Sequence, residues 1–235
     1  MSADEPIQLS HFSDVLCVWA YVSQVRVDEL KQRFGDQIHL NYHFIPVFGS
    51  TPHRIGEGWK ERGGFAGYSE HVRQVCREFP HVEIHDRVWI DHPPRSSGAS
   101  HHFLKAVQVL EREGVISADP QPDLDGKTFL EALAWQVRLA FFRDNRDVSR
   151  IETLFEIARD LTLPVDRIEE HLGSGEAMAA LWHDVEIKDR FRVEGSPTYI
   201  LNEGRQKLYG NLGYRILEAN VQESLQRPGG QASWC

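Results

Sequence analysis

The sequence predicts an α/β fold in which both ends of the chain build one sheet and the middle is a large α-helical insertion. Three observations carry that prediction. Near the N-terminus a strand pattern, a helix pattern and a second strand pattern follow with short connections. Residues 51–190 then show mostly helical spacing, and beyond residue 191 the pattern turns into a hairpin and a closing helix. The order is βαβ, then helices, then ββα. Residues 1–50 and 191–235 are expected to form one discontinuous domain around a helical insertion of residues 51–190.

Each element has its own signal. Ile7 to Phe12 is a short extended run after Pro6. From Trp19 to Phe34, Tyr21, Val22, Val25 and Leu30 recur at helical spacing, and Gly35 is the stop. IHLNYHF puts Ile38, Leu40, Tyr42 and Phe44 on one face and His39, Asn41 and His43 on the other, a strand of period two. Together these make a βαβ unit, whose crossover should be right-handed. The Gly- and Pro-rich residues 46–64 read as loop, 65–79 as a helix ended by Pro80, HVEIHDRVWI (81–90) as strand rather than helix, and DHPPRSSG as a break. Helices are predicted over 99–113, closed by Gly114, and over 127–143 after the loop ADPQPDLDG. Another spans 149–161, where Ser149 and Glu152 have capping-box spacing. A short helix with Pro164 in its first turn follows, then one over 175–190. TYILN and QKLYG flank the turn NEGR, a hairpin over 198–210. A helix over 215–226 and a loose tail, RPGGQASWC, close the chain.

Bulk composition narrows the function. The 235 residues suffice for one compact domain or one domain carrying an insertion. Apolar residues at 41% and charged residues at 26% are ordinary for a soluble globular protein. A net charge of −9 repels nucleic-acid phosphates, so no nucleic-acid partner is expected. No stretch approaches the ~20 apolar residues of a membrane span, so no membrane partner is expected either. Three cysteines, Cys17, Cys76 and Cys235, are too few and too scattered for a disulfide framework. The start MSADEPIQLS lacks a basic region and an apolar core, so a reducing, cytoplasmic setting is expected.

Twelve histidines raise the question of a metal, but neither His81 and His85 nor His101 and His102 sit at the spacing of a structural zinc site. No metal is expected. GEG at 56–58 lacks the context of a nucleotide loop, and Glu169–Glu170 read as a solvated helix face. Cys76, in HVRQVCREF, reads as a buried structural cysteine and Cys235 as a free exposed thiol.

The informative cysteine is Cys17, in DVLCVWAY, where the first strand hands over to the first helix. The first N–H groups of a helix have no internal partners, and the macrodipole places partial positive charge there. Both favour a thiolate, and cysteines so placed have pKa values lowered from ~8.5 to about 3.5–7.5. That makes Cys17 a candidate nucleophile at neutral pH. The alternative is a buried cysteine acting as a small hydrophobe. Far along the chain, EGSPTYI puts Gly195, Ser196, Pro197 and Thr198 just before a strand. A proline is permitted at a strand's first residue, and on these residues alone its peptide bond is an ordinary trans one.

Taken together these segments resemble the DsbA-like branch of the thioredoxin superfamily. Asp14, Cys17, Trp19 and Tyr21 match the family's D-x-x-C-P-W-C-Y. Val193, Gly195, Ser196, Pro197 and Thr198 match its V-x-G-x-P-T, and Tyr209–Gly210 before the last helix also fits. The correspondence runs to about Gln226. It implies a thioredoxin-like fold with an α-helical insertion and a cis proline, Pro197, beside the nucleophilic Cys17. Ser196 would present its backbone to an extended thiol-bearing ligand, and Trp19 would shape the cleft.

Two positions depart from the family pattern: Val18 replaces its proline, and Ala20 replaces the resolving cysteine. Cys17 therefore cannot close a local disulfide, and a second thiol must arrive through a mixed disulfide, with glutathione the natural candidate. The resemblance extends to kappa-class glutathione transferases and 2-hydroxychromene-2-carboxylate isomerases, which also lack the dithiol pair and carry a serine at the position matching Cys17. Pro94 to Ala106 resembles their P-x-N-S/T-x-x-A segment, with Ser96 in place of the asparagine. Asn211 and Arg215, at the start of the last helix, would hold a glutathione carboxylate, since anions suit helix N-termini. The expected activity is glutathione-linked thiol–disulfide exchange on a disulfide or electrophilic substrate. A glutathione-dependent isomerase or transferase and a non-catalytic thioredoxin-like binding protein are the alternatives, and a homodimer stays open as the oligomeric state.

Overall fold

In the computed structural model, which describes residues 6–226, one strand organises the molecule. Strand β1 (Ile7–Ser13) lies inside a four-stranded sheet of order β2-β1-β3-β4. It pairs in parallel with β2 (Ile38–Phe44), from Ile7 opposite Ile38 to Ser13 opposite Phe44. On its other side it runs antiparallel to β3 (Thr198–Leu201), which pairs with β4 (Gln206–Tyr209) as the predicted hairpin.

The parallel pair requires a crossover, and helix α1 (Val18–Phe34) supplies it. Its N-cap is Cys17 in extended conformation (φ −82°, ψ 116°). It stops at Gly35, whose φ of 50° suits glycine, and Lys31 and Arg33 lie at its negative end. The insertion contributes α2 (Gly64–Arg77), α3 (Gly98–Arg112), α4 (Phe129–Phe142), α5 (Ile151–Asp160), α6 (Val165–Ser174) and α7 (Glu176–Arg190). Helix α8 (Tyr214–Gln226) closes the described chain. Among the described residues no helix is long and apolar enough to cross a membrane.

The core explains how the site is walled. On one side of the sheet Ile7 and Leu9 pack with Leu30, Phe34, Leu217 and Val221 of α1 and α8. On the other, Phe12 and Ile200 pack with Val193 and with Ile187 and Phe191. The largest cluster joins the first turns of α1 to the insertion: Val18, Ala20, Tyr21 and Val22 are buried with Phe103, Leu104, Val137, Phe141 and Phe142. Tyr21 stacks on Phe142 with ring centroids 4.5 Å apart, a pair contributing about 0.5–1.5 kcal/mol beyond its buried area.

Three expectations are corrected. Residues 46–64 are not all loop: Pro52–Glu57 forms a π-helical turn and Lys60–Arg62 a 3-10 turn. HVEIHDRVWI is not a strand but a run of turns laid across α1, with Tyr21 Oη donating to the Glu83 carbonyl at 2.8 Å. The Ser149–Glu152 capping box does not form, because Asp147 Oδ1 takes both the Ser149 N–H (2.9 Å) and hydroxyl (2.6 Å), and α5 starts at Ile151. The capping box that does form is Thr128–Glu131, at the start of α4. Cys76 is buried, as expected. The expectations for the tail and Cys235 fall outside the described residues.

Candidate functional site

The site is built around a buried carboxylate. Asp14 directly follows β1, fully removed from solvent, and both oxygens of its side chain are engaged. Leu16 N–H donates to Oδ1 at 2.9 Å, while Phe48 N–H and Ser97 Oγ–H each donate to Oδ2 at 2.8 Å. Its own N–H donates to Ser196 Oγ at 2.9 Å, and its carbonyl accepts from Cys17 N–H at 3.1 Å. The His101 ring lies 3.6 Å from Oδ1 and accepts the Val15 N–H at 3.2 Å. Burial pushes the carboxyl upward, but the His101 ring and the Phe48 and Leu16 amides outweigh it, holding Asp14 below the usual carboxylate range. One residue thus ties together the strand end, α1, the loop after β2, the start of α3 and the loop before β3.

That knot fixes Cys17 against Ser196. The thiol donates to the Ser196 carbonyl at 3.2 Å, and the Ser196–Pro197 peptide bond is cis. Gly210 N–H donates to the Pro197 carbonyl at 2.9 Å, joining this loop to the end of β4. A Cβ at Gly195 would lie 2.7 Å from the Tyr209 hydroxyl oxygen, so a larger residue here would require the Tyr209 ring to move.

The expected ionised thiolate is corrected. Burial, with only 5% of Cys17 exposed, pushes its thiol up from the ordinary value, and the Asp14 carboxylate adds to the rise. The Ser196 hydrogen bond and the Ala20 and Trp19 amides pull the other way without winning. The helix N-terminus does face the sulfur, but removing a charge from water costs more than those dipoles return.

The remaining expected residues are placed as follows. Trp19 is half-buried in the first turn of α1 against the main core, and Ala20 is buried. Asn211 is exposed and accepts a hydrogen bond from Arg26 of α1, nine residues and roughly 13 Å along the helix from Cys17. Arg215 is exposed in the first turn of α8. Away from this site, Glu113, His171 and Glu176 bring donor atoms within 4.8 Å of one another, the one described trio of this kind that could hold a metal ion. There both imidazole nitrogens already face the two carboxylates, and Arg167 stands 3.9 Å from Glu113.

Sequence reasoning missed the walls. Arg138 of α4 is 3% exposed and donates to Gln24 Oε1 at 2.8 Å and to Ser13 Oγ at 3.0 Å. Its Nε has no partner, and among the described residues no carboxylate pairs with it. Burial lowers its pKa, and the strongest opposing charge is that of Cys17, followed by Asp14. His11, also buried, stacks on Tyr199 at 4.9 Å with neither ring nitrogen partnered. Burial first, then the Arg138 charge and His43, push its pKa down to about 3. The signals were faint: Asp14 stood in the quoted motif without a role, and Arg138 is the one cation in the apolar run FLEALAWQVRLAFF.

Comparison with known proteins bears on the fold. A sequence profile of the DSBA-like thioredoxin domain matches residues 8–222. Among solved structures, a candidate protein disulfide isomerase from Nitrosomonas europaea superposes with a TM-score of 0.71 at 15% identity, over 96% of this chain and 100% of that one. A 2-hydroxychromene-2-carboxylate isomerase gives 0.63 at 14% identity, over 94% and 98%. The cytosolic disulfide reductase DsbM from Pseudomonas aeruginosa, in its structure with GSH, gives 0.60 at 17% identity, over 92% and 99%. At such identities these likenesses establish the thioredoxin-like fold. No curated protein matches the sequence significantly.

Proposed function

The chain belongs to the DSBA-like thioredoxin-domain family, and we propose that within it the protein is a single-thiol enzyme of glutathione-linked thiol–disulfide exchange. The carrying observation is one sulfur at the mouth of α1, 3.2 Å from the Ser196 carbonyl, with alanine where a resolving thiol would stand. Cys17 attacks the glutathione sulfur of a mixed disulfide. A Cys17–glutathione bond forms, the old S–S bond breaks, and the released thiolate takes up the proton that Cys17 gave up. A second glutathione thiolate then attacks the bound glutathione sulfur, returning Cys17 and leaving oxidised glutathione. The chain is oxidised and re-reduced in each cycle, so no second protein thiol is required.

The other residues take roles around that step. Ser196 and Pro197 form the wall against which the ligand's backbone lies, and Trp19 borders it. Arg138 is the buried counter-charge for the sulfur when it ionises. Asn211, Arg215 and Arg26 offer donors for a glutathione carboxylate, Arg215 from a helix N-terminus. The DsbM structure with GSH supports the choice of co-substrate. A reducing compartment with abundant glutathione, the cytoplasm, is the setting this chemistry needs.

Burial of the resting thiol favours a second reading, a non-catalytic binding protein, and the experiment separates the two. The folded protein is incubated with oxidised glutathione and its intact mass and peptide map are recorded. One adduct at Cys17 is expected, removable by reduced glutathione and absent from Cys17→Ser. Folded wild-type protein that takes up no glutathione at Cys17 overturns the exchange reading. If it still binds reduced glutathione, the glutathione-dependent isomerase or transferase reading takes its place.

A further inference from the structure

A second constellation lies on the opposite side of β1 and does not involve Cys17. Ser10 sits in the middle of β1, half-buried, paired with Asn41 on β2 and Ile200 on β3. Its Oγ is 3.3 Å from His43 Nε2. His43 Nδ1 is 2.9 Å from Oδ1 of Asp184, a residue of α7 that is 2% exposed. The ring is fixed from a third side by stacking on Phe12, with centroids 4.6 Å apart. The other carboxylate oxygen accepts from Phe44 N–H at 2.8 Å and pairs with Lys105 at 2.9 Å.

These contacts orient the ring. Burial raises the Asp184 carboxyl, but its bond to His43, the Lys105 charge and the Phe44 amide hold it below the usual range, so it accepts. An accepting carboxylate places a proton on Nδ1, and in the neutral ring Nε2 then carries the lone pair that faces the Ser10 hydroxyl. Nucleophile, base and orienting acid then stand in hydrogen-bond order, the geometric signature of an activated serine. Asn41, directly across from Ser10, uses one amide N–H on Gln8 Oε1 at 3.0 Å and keeps the other uncommitted among the described residues. A cleft of about 460 Å³ on the β2 side of Ser10 is lined by Asn41, His43, Lys105 and Asp184.

We propose that Ser10, His43 and Asp184 form a second active centre, a serine nucleophile that takes the acyl group of a small carboxylic ester. Ser10 Oγ attacks the carbonyl carbon while His43 Nε2 takes its proton, and Asp184 stabilises the imidazolium. His43 returns that proton to the departing alcohol, leaving an ester on Ser10. Water, deprotonated by the same nitrogen, hydrolyses that ester to the free acid and restores the serine. No oxidant, reductant or metal enters. The size of the cleft beside His43, about 460 Å³, suits a small substrate.

The test uses the full chain and a fluorophosphonate probe, which traps activated serines, read by peptide mapping. An adduct at Ser10 is expected, absent from Ser10→Ala and formed at least about 10²-fold more slowly in His43→Gln, the usual contribution of a general base. The same variants should lose hydrolysis of p-nitrophenyl acetate by that factor. Folded wild-type protein with no adduct at Ser10 overturns the proposal without any variant. Equal labelling of wild type and folded His43→Gln also overturns it and leaves the trio as a strut holding α7 to the sheet.

Discussion

His11 lies on β1 and Asp14 follows the strand three residues on; both are out of water, yet the molecule treats them oppositely. Around Asp14 both carboxylate oxygens are filled, by donors from three separate segments. Around His11 and Arg138 three ring and guanidinium nitrogens have no partner. The first is a polar knot that fixes geometry. The second keeps a buried cation beside a thiol without a carboxylate to neutralise it. A fully satisfied buried network rigidifies, whereas an under-partnered one remains responsive to a new charge.

The largest effect that tests this contrast is at Asp14. Asp14→Ala strands the Leu16, Phe48 and Ser97 donors, and a loss of about 3–5 kcal/mol in urea unfolding is expected. Should that variant not fold, Asp14→Asn keeps the shape and the Leu16 bond and should fold with a smaller loss. If Asp14→Ala stays within 1 kcal/mol of wild type, on the scale of an exposed pair, the knot does not hold the site.

A smaller effect belongs to His11 and depends on pH. The folded ring stays neutral down to about pH 3, while the unfolded one takes a proton below its ordinary 6.5. Its folded pKa is depressed, so its contribution to stability is complete above pH 6.5 and is lost as pH falls toward 3. Between pH 6.5 and 4.5 that loss is about 2–3 kcal/mol. His11→Phe keeps the stack on Tyr199 and removes the titration. Urea midpoints at pH 7 and 4.5 should therefore lie closer together in the variant. Equal separation in both proteins would assign the acid sensitivity to Asp14 and Asp184 instead.

The same contrast shows what could be read from sequence. Strand alternation in IHLNYHF and helical spacing after Cys17 are local, and the structure realises them within a residue or two. The motif pair likewise brought Cys17 to Ser196 and Pro197. The misreadings share one cause, burial by distant chain. HVEIHDRVWI alternates because Val82 and Ile84 pack on the main core, but no neighbouring strand is there to pair with it. The thiolate at Cys17 followed from helix amides alone, and the desolvation that reverses it comes from helices far along the chain. Ser97, His101 and Arg138 wall the site from 80 or more residues away, at spacings that no local pattern encodes.

The smallest effect separates charge from packing at Arg138. Its guanidinium carries two hydrogen bonds, to Ser13 and Gln24, and one charge felt by Cys17. Arg138→Met removes bonds and charge together, whereas Arg138→Lys keeps the charge and loses the fork geometry. If the cation serves the sulfur, the alkylation rate of Cys17 measured against pH should shift to higher pH by about one unit in Arg138→Met, a tenfold drop in thiolate at a given pH. In Arg138→Lys the shift should be largely absent, although both variants are less stable than wild type. Stability and reactivity would then part company, which packing alone cannot produce. Two alkylation profiles that move together, in step with stability, would make Arg138 another strut like Asp14, and the contrast between the two buried regions would disappear.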